Sequence, residues 1–170
     1  MHARYSGYLI GFLLAAAVAA GPAVAQTNPT RLGEFQGWTA YAAGKDAARV
    51  CYMVGEASGA TNRPERMVYV AHRPAKKAWS VVMVYPGTPY KDASEATVEI
   101  GKTQFALFTY RDTAWTPDAD SDARLIKAMR AGKAMVVRGT DHDGAPIADQ
   151  YSLAGFIAAY RKIGEACNLK

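Results

Sequence analysis

Short runs of strand-forming residues, separated by turn residues, restrict the fold of this chain more than any other feature. Valine, isoleucine, phenylalanine and tyrosine concentrate in six of them, at residues 49–54, 66–73, 78–85, 96–101, 104–110 and 134–139. Turn-forming sequences such as Asn62-Arg63-Pro64 and Pro86-Gly87 lie between them. Because short strands with this punctuation are typical of antiparallel sandwiches and barrels, we expect a mainly β fold.

Two segments have the apolar spacing of helices instead. The first covers about residues 120–131, with Asp120 or Ser121 as the expected N-cap. The second is C-terminal and covers residues 152–164, with Ser152 as its expected N-cap. Its apolar face would consist of Leu153, Phe156, Ile157, Tyr160 and Ile163. Both apolar faces are predicted to pack against the strands and to form part of the core.

The N-terminal residues have the features of a secretory signal peptide, which we predict to cover residues 1–25. Arg4 supplies the positive charge, and an apolar stretch of residues 9–20 follows it. Small residues favour cleavage between Ala25 and Gln26. The stretch is shorter than the about 20 apolar residues of a transmembrane helix, and no later run reaches that length. We therefore expect a periplasmic or secreted protein, or one at the cell surface.

The mature chain is predicted to consist of a flexible arm and one domain. Residues 26–36 are largely polar and contain Pro29 and Gly33, which favour a loose arm. Residues 37–170 contain no internal repeat, no low-complexity stretch and no linker. We expect them to form a single β-sandwich domain.

Cys51 and Cys167 are the two cysteines of the chain. A small, even cysteine count in an exported protein usually indicates a disulfide, because the compartment is oxidising. Closing so long a loop lowers the entropy of the unfolded chain, which stabilises the fold by about 4–5 kcal/mol at most in the chain-entropy model. We therefore predict a disulfide that fastens the C-terminal helix to an early strand. The alternative, a reactive thiol, would require an unpaired cysteine near a base.

The formal net charge of +5 is a mild basic excess. Such an excess favours anionic surfaces, but without a dense Lys/Arg tract it gives no reason to expect nucleic acid as a partner. Five basic residues flank one predicted hairpin: Arg63, Arg66, Arg73, Lys76 and Lys77. They have two interpretations. One is a solvated sheet edge protected from aggregation by its charge, and the other is a docking surface for an acidic protein or an anionic envelope component.

Residues 139–149 form the segment most suggestive of a site. Its potential metal ligands are Asp141, His142, Asp143 and Asp149. The segment lacks the longer ordered pattern of calcium-binding loops, and a zinc site requires at least three well-spaced nitrogen or sulfur ligands. Asp143-Gly144 between two extended runs is instead a strong hairpin signal. We therefore predict a turn here, with no metal and no cofactor.

Candidates for catalysis are few. Ser152, His142 and Asp141 could form a hydrolase triad on paper, but the Gly-x-Ser-x-Gly nucleophile motif is absent and Ser152 is expected to cap a helix. His72 ends a predicted strand, where a lone histidine is usually structural or solvated. We therefore predict no catalytic residue. The alternative is a small periplasmic hydrolase or metal-dependent enzyme centred on His142 and the neighbouring aspartates.

A set of short motifs extends in order along most of the mature chain. They are Cys51-Tyr52, His72-Arg73-Pro74-Ala75, Ile100-Gly101, Phe105-Ala106-Leu107-Phe108, Ala114-Trp115, the block 123–140, Tyr151-Ser152-Leu153, Gly155-Phe156 and Ala166-Cys167. In this order they resemble the invasion-associated locus B family of exported bacterial proteins. The resemblance implies an immunoglobulin-like antiparallel β-sandwich, export to the periplasm or cell surface, and no established catalytic residues.

The function expected from the sequence is non-enzymatic binding. The signal peptide, the disulfide, the strand-rich pattern and the scarcity of catalytic candidates favour a protein that acts through its surface. Its partner would be another protein or an anionic envelope component, and the family name links this binding to host-cell interaction. A periplasmic chaperone or inhibitor-like module would differ only in its partner.

Overall fold

The structure, a computed structural model, describes residues 28–59, 62–63 and 65–169. The predicted signal peptide at 1–25 and the first residues of the predicted arm lie outside these ranges. The strands and helices are, in chain order, β1 (Thr30–Phe35), β2 (Trp38–Ala43), β3 (Val50–Glu56), β4 (Met67–Arg73), β5 (Ala78–Tyr85), β6 (Glu95–Ile100), β7 (Thr103–Tyr110), β8 (Thr113–Trp115), α1 (Ala119–Ala131), β9 (Ala134–Thr140), β10 (Pro146–Ser152) and α2 (Phe156–Ala166). No helix in the described ranges has both the length and the apolar character needed to cross a membrane.

The strands belong to one antiparallel sheet in the order β1-β2-β3-β4-β5-β8-β7-β6-β9-β10. The expectation of a mainly β, antiparallel fold with two helices is therefore confirmed. The family resemblance implied two packed sheets of immunoglobulin type, but here the short strand β8 pairs with β5 on one side and with β7 on the other. This bridge joins the two halves into one continuous sheet, which curls into a half-barrel.

The two ends of the curled sheet approach each other across the interior. The indole nitrogen of Trp38 in β2 donates to the carbonyl oxygen of Ser152 in β10 at 2.9 Å. The backbone nitrogen of Ser58, just after β3, donates to the carbonyl oxygen of Gln150 at 2.7 Å. The last strand is thus held against the start of the sheet by side-chain and loop contacts, not by a strand ladder.

The core lies on the inner face of the curled sheet, where inward side chains from both halves meet the two helices. Trp38, Met53, Tyr151 and Phe156 are among the largest fully buried side chains. The rings of Trp38 and Phe156 meet edge to face with centroids 5.0 Å apart. Helix α2 packs against β1 to β4, and helix α1 packs against β5. The inner face is therefore covered by both helices.

Helix α1 agrees closely with the predicted range of 120–131, but its cap differs. The carboxylate of Asp118 accepts a hydrogen bond from the backbone nitrogen of Ser121 at 2.7 Å. This makes Asp118 the N-cap, in place of Asp120 or Ser121. A cap side chain satisfies the free amide two or three positions further on, and Asp118 stands at that spacing from Ser121.

Helix α2 begins later than predicted. Ser152 is the last residue of β10, where it pairs with Ala134, and so it caps no helix. Gly155 precedes the helix in a left-handed conformation with φ 82°. A Cβ atom at Gly155 would lie 2.0 Å from the carbonyl oxygen of Phe35, so only glycine fits here. Ile157 is 55% exposed, so its predicted place on the apolar face is also wrong.

Residues 26–36 were predicted to form a loose arm, but Thr30–Phe35 form strand β1, which pairs antiparallel with β2. The prediction is wrong for these residues. Leu32 and Phe35 pack against the core. Burial of these two apolar side chains stabilises a segment that is otherwise polar. The pairing register shifts between Arg31 and Gly33, as at a β-bulge.

Cys51 and Cys167 form the predicted disulfide, with their Cα atoms 5.9 Å apart. Both residues are buried, and the bridge joins β3 to the residue that follows α2. Close by, the Nε of Arg49 donates to the carbonyl oxygen of Ala166 at 2.8 Å. The C-terminal helix is therefore fastened to an early strand, as the sequence predicted.

Candidate binding face

The structure does not bring the five predicted basic residues together on one surface. Arg63 and Arg66 precede β4, Arg73 ends it, and Lys76 and Lys77 follow it. Because β4 has seven residues, the two groups lie about 20 Å apart along the strand. The two groups therefore need separate explanations.

Arg63 and Arg66 bind a buried carboxylate. Arg63 donates to the two oxygens of Asp149 at 2.8 and 2.7 Å, and Arg66 donates to one of them at 3.0 Å. The side chain of Asp149 is 1% exposed, and its hydrogen bond raises the pKa of Arg63 above the ordinary value. These three residues, the arginine latch, fasten the loop between β3 and β4 onto β10. Asp149, a candidate metal ligand in the sequence, has this structural role instead.

The segment around His142 forms a turn, as predicted. Asp141 Oδ1 accepts hydrogen bonds from the backbone nitrogens of Asp143 and Ala145 at 3.1 and 2.7 Å. Gly144 has φ 87°, a conformation that favours glycine. The His142 Nε2 atom lies 3.4 Å from the Asp143 carboxylate, on a side chain that is 53% exposed. This arrangement is a solvated hairpin tip.

The structure does not bring together the residues that the hydrolase and metal alternatives require. Ser152 pairs with Ala134 at one end of the β9–β10 hairpin, whereas His142 lies in the turn at the other end. Asp149 is held by the arginine latch. Among the described residues, no group of three or more His, Cys, Asp or Glu side chains is placed to bind a metal ion.

His72 is buried, with no exposed surface. Its Nδ1 accepts a hydrogen bond from the backbone nitrogen of Ser80 at 3.0 Å. Its ring lies 5.8 Å from that of Trp79 and 5.5 Å from that of Tyr160. Burial lowers the pKa of His72 to about 4, so the ring is neutral at neutral pH. His72 is therefore a structural residue of the core.

The sheet has an apolar outer face that sequence reasoning missed. On three neighbouring strands, β3, β4 and β5, the outward residues between the charged Glu56 and Arg73 are apolar or aromatic: Val50, Tyr52, Val54, Met67, Tyr69, Ala71, Val81, Met83 and Tyr85. The inward residues of the same strands belong to the core. Strands that are apolar on both faces are typical of sheets covered on both sides, and here the described residues cover only the inner side.

The outward residues of β6 provide an internal comparison. They are Glu95, Thr97 and Glu99, which alternate with the buried Ala96, Val98 and Ile100. This is the ordinary pattern of a strand with one face in water. The outer face of β6 is therefore polar where that of β3 to β5 is apolar, while Phe108 on β7, which pairs with Trp115 and is 50% exposed, extends the apolar face beyond β8.

Five side chains form a line across this apolar outer face, from strand to strand. Tyr41 pairs with Tyr52, Tyr69 pairs with Met83, and Met83 pairs with Trp115. The rings of Tyr41 and Tyr52 are stacked with centroids 5.2 Å apart, and those of Tyr52 and Tyr69 are 6.4 Å apart. We call these five residues the outer row. It crosses five strands and is about 19 Å long.

Tyr52 and Tyr69 of the outer row are neutral hydrogen-bond donors. Partial burial, followed by the influence of the neighbouring tyrosines, raises the pKa of Tyr52 and of Tyr69. Each hydroxyl therefore stays protonated at neutral pH and combines an apolar ring with a polar end.

Two hollows lie along the outer row. The acidic hollow has a volume of about 470 Å³ and is lined mainly by Glu34, Thr39, Tyr41, Tyr52, Glu56 and Tyr69. The Arg73 hollow has a volume of about 300 Å³ and is lined mainly by Tyr52, Tyr69, Ala71, Arg73, Met83 and Trp115. Tyr52 and Tyr69 line both, so their rings form the wall between the two. The outer row thus has an acidic end and a basic end.

Comparisons with known proteins agree with the fold. The crystal structure of invasion associated protein B from Bartonella henselae matches with a TM-score of 0.54 and 17% sequence identity. The match covers 80% of this chain and 97% of that chain. At this identity the likeness concerns the fold alone. A search of curated proteins found no match.

A family model gives the more specific result. The model described as "Invasion associated locus B (IalB) protein" matches residues 38–164. This range begins with β2, ends within α2 and contains the whole outer row. It covers well over half of the chain, as the order of the sequence motifs had suggested. The chain belongs to the invasion-associated locus B family.

Proposed function

We propose that this chain is an exported, non-enzymatic binding protein that holds a protein partner against its outer row. One observation carries the proposal: strands β3, β4 and β5 are largely apolar on both faces, and the described residues cover only one of these faces. Apolar outward positions that lie together in this way mark interaction surfaces. Tyrosine and tryptophan are the residues that interfaces favour, because they combine large apolar area with hydrogen-bonding groups.

The rest of the fold supports binding by keeping the outer row rigid. The Cys51–Cys167 disulfide fastens α2 to β3, and the arginine latch fastens the loop between β3 and β4 to β10. Side chains on strands lose less conformational freedom on binding than side chains on loops, so less of the interaction free energy is spent on ordering. A rigid sheet is therefore a suitable platform for a partner.

The disulfide and the predicted signal peptide support export. A disulfide persists in the periplasm or at the cell surface, where the environment is oxidising. A partner laid on the outer row would also form a second layer about 10 Å from the sheet, as in a β-sandwich. The sandwich that the family resemblance implied would then be completed by the partner.

Site-specific photo-crosslinking in the native envelope tests the proposal. A photoreactive phenylalanine analogue replaces Tyr52 in the outer row, and in the control it replaces Thr97 on the polar outer face of β6. We expect a defined crosslinked protein from position 52, weakened by Tyr69→Glu, and none from position 97. Equal crosslinking from both positions, or none from position 52, would contradict the proposal.

A further inference from the structure

We propose that the Arg73 hollow binds an acidic apolar segment of the partner protein, with one apolar side chain in the hollow and a neighbouring carboxylate on Arg73. This inference rests on the proposed function, because it assigns the chemistry that one end of the outer row recognises. It also gives one residue of the predicted basic surface a specific role.

Ala71 creates the hollow. It lies opposite Tyr52 on one neighbouring strand and opposite Val81 on the other, and it is only 9% exposed. A small residue among larger ones leaves a depression about 300 Å³ in volume, which is near the lower limit for ligand pockets. The depression can therefore take a single aromatic or branched aliphatic side chain.

The walls are apolar and aromatic. Tyr69 and Met83 stand on one side of Ala71, and Trp115 lies next to Met83. The hollow is open to solvent above, so a ligand is buried on one side only. This shape fits a side chain presented by a larger partner, whereas a free acyl chain would leave half of its length in water.

Arg73 supplies the charge. It is half-buried, lines the hollow and takes part in none of the ion pairs among the described residues. Among the residues that the structure describes, no acidic side chain lines the hollow. A guanidinium group in such surroundings binds a carboxylate with two parallel hydrogen bonds.

The opposite end of the outer row repels the same ligand. Glu56 and Glu34 line the acidic hollow; Glu34 pairs with Arg31, so a partner carboxylate placed there would meet like charge mainly from Glu56. Charges arranged in this way determine the orientation of a bound partner more than its affinity. The carboxylate of the partner therefore lies at the Arg73 end.

A display library of random peptides, selected on the disulfide-bonded mature protein, tests this inference. We expect enriched peptides with an aromatic or branched aliphatic residue next to Asp or Glu. Arg73→Gln and the hollow-filling variant Ala71→Leu should each weaken their binding about tenfold or more. Lys76→Gln, which removes a nearby charge outside the hollow, is the matched control and should leave binding unchanged. Circular dichroism establishes that each variant is folded.

Several results would overturn the inference. The inference fails if the selection enriches other peptides or none. It also fails if neither Arg73→Gln nor Ala71→Leu weakens the binding of the enriched peptides. Binding of decanoate with the same sensitivity would replace the peptide with an acyl chain, and a dimer lost in Ala71→Leu would make a second copy the occupant. If crosslinking from position 52 persists in both variants, this inference fails while the proposed function stands.

Discussion

At the scale of single residues, Asp149 is a buried anchor of the contact between β10 and the start of the sheet. Its carboxylate is 1% exposed and binds both Arg63 and Arg66. Removing one partner from a buried ion pair leaves uncompensated charge, which costs about 3–5 kcal/mol. We expect Asp149→Asn to lower the free energy of unfolding by about 3 kcal/mol, measured by denaturant titration.

The exposed pair of Arg31 and Glu34 is the control for this prediction. Because solvent screens an exposed pair, we expect Glu34→Gln to change the free energy of unfolding by less than about 1 kcal/mol. An equally small effect of Asp149→Asn would show that the arginine latch contributes little to stability.

His72 gives the fold a dependence on pH. The unfolded chain takes up a proton near pH 6.5, whereas the folded chain takes one up at His72 only near pH 4. Between these values the unfolded state binds more protons, so stability falls as pH falls. The loss at His72 is about 3 kcal/mol in total.

The variant His72→Asn tests this dependence, because its side-chain oxygen can still accept the hydrogen bond from Ser80. We expect its free energy of unfolding to vary less between pH 6.5 and pH 4 than that of the unchanged protein. Identical slopes for the His72→Asn variant and the unchanged protein would contradict the assignment.

At the scale of elements, the disulfide determines how firmly α2 is held. The bridge closes a loop with a sequence separation of 116 residues. We expect the double variant Cys51→Ala, Cys167→Ala to lose up to about 4–5 kcal/mol of stability. Amide hydrogen exchange should accelerate in the last turns of α2 and stay slow in β6. Unchanged exchange in α2 would show that packing alone holds the helix.

Sequence reasoning found the strands and helices whose formation depends on their own residues. It missed those that depend on pairing with another strand. The run at 78–85 agrees with β5 in both bounds, and α1 differs from its prediction by one residue at its start. Strand β10 was missed because it contains a proline and an aspartate, and its stability depends on pairing with β9. Ser152 resembled a helix cap, but strand pairing with Ala134 takes precedence.

The same limit applies to the candidate site. The runs over β3, β4 and β5 predicted strands, and their separation by turn residues, together with the family resemblance, led to the expectation of a sandwich. Composition could not reveal that, in the described part of the chain, no second layer packs against the outer face of these strands. Nor could spacing show that Arg63 reaches a buried carboxylate while Arg73 lines an apolar hollow, because both facts depend on contacts between distant strands.

At the scale of the whole molecule, the account predicts that the outer row is covered when the protein is in its native envelope. In the part of the chain that the structure describes, no element covers the outer face of β3, β4 and β5, and Tyr52, Tyr69 and Trp115 lie on that outer side of the sheet. Tyr110 lies at the end of β7 and is 60% exposed, so it serves as an internal reference.

Hydroxyl-radical footprinting tests this claim most directly, because it compares the same side chains in the purified protein and in intact cells. The account predicts that Tyr52, Tyr69 and Trp115 are oxidised several-fold more slowly in cells, while the reactivity of Tyr110 is nearly unchanged. Equal oxidation of the outer row in the two settings would mean that no partner covers it, which would contradict the account.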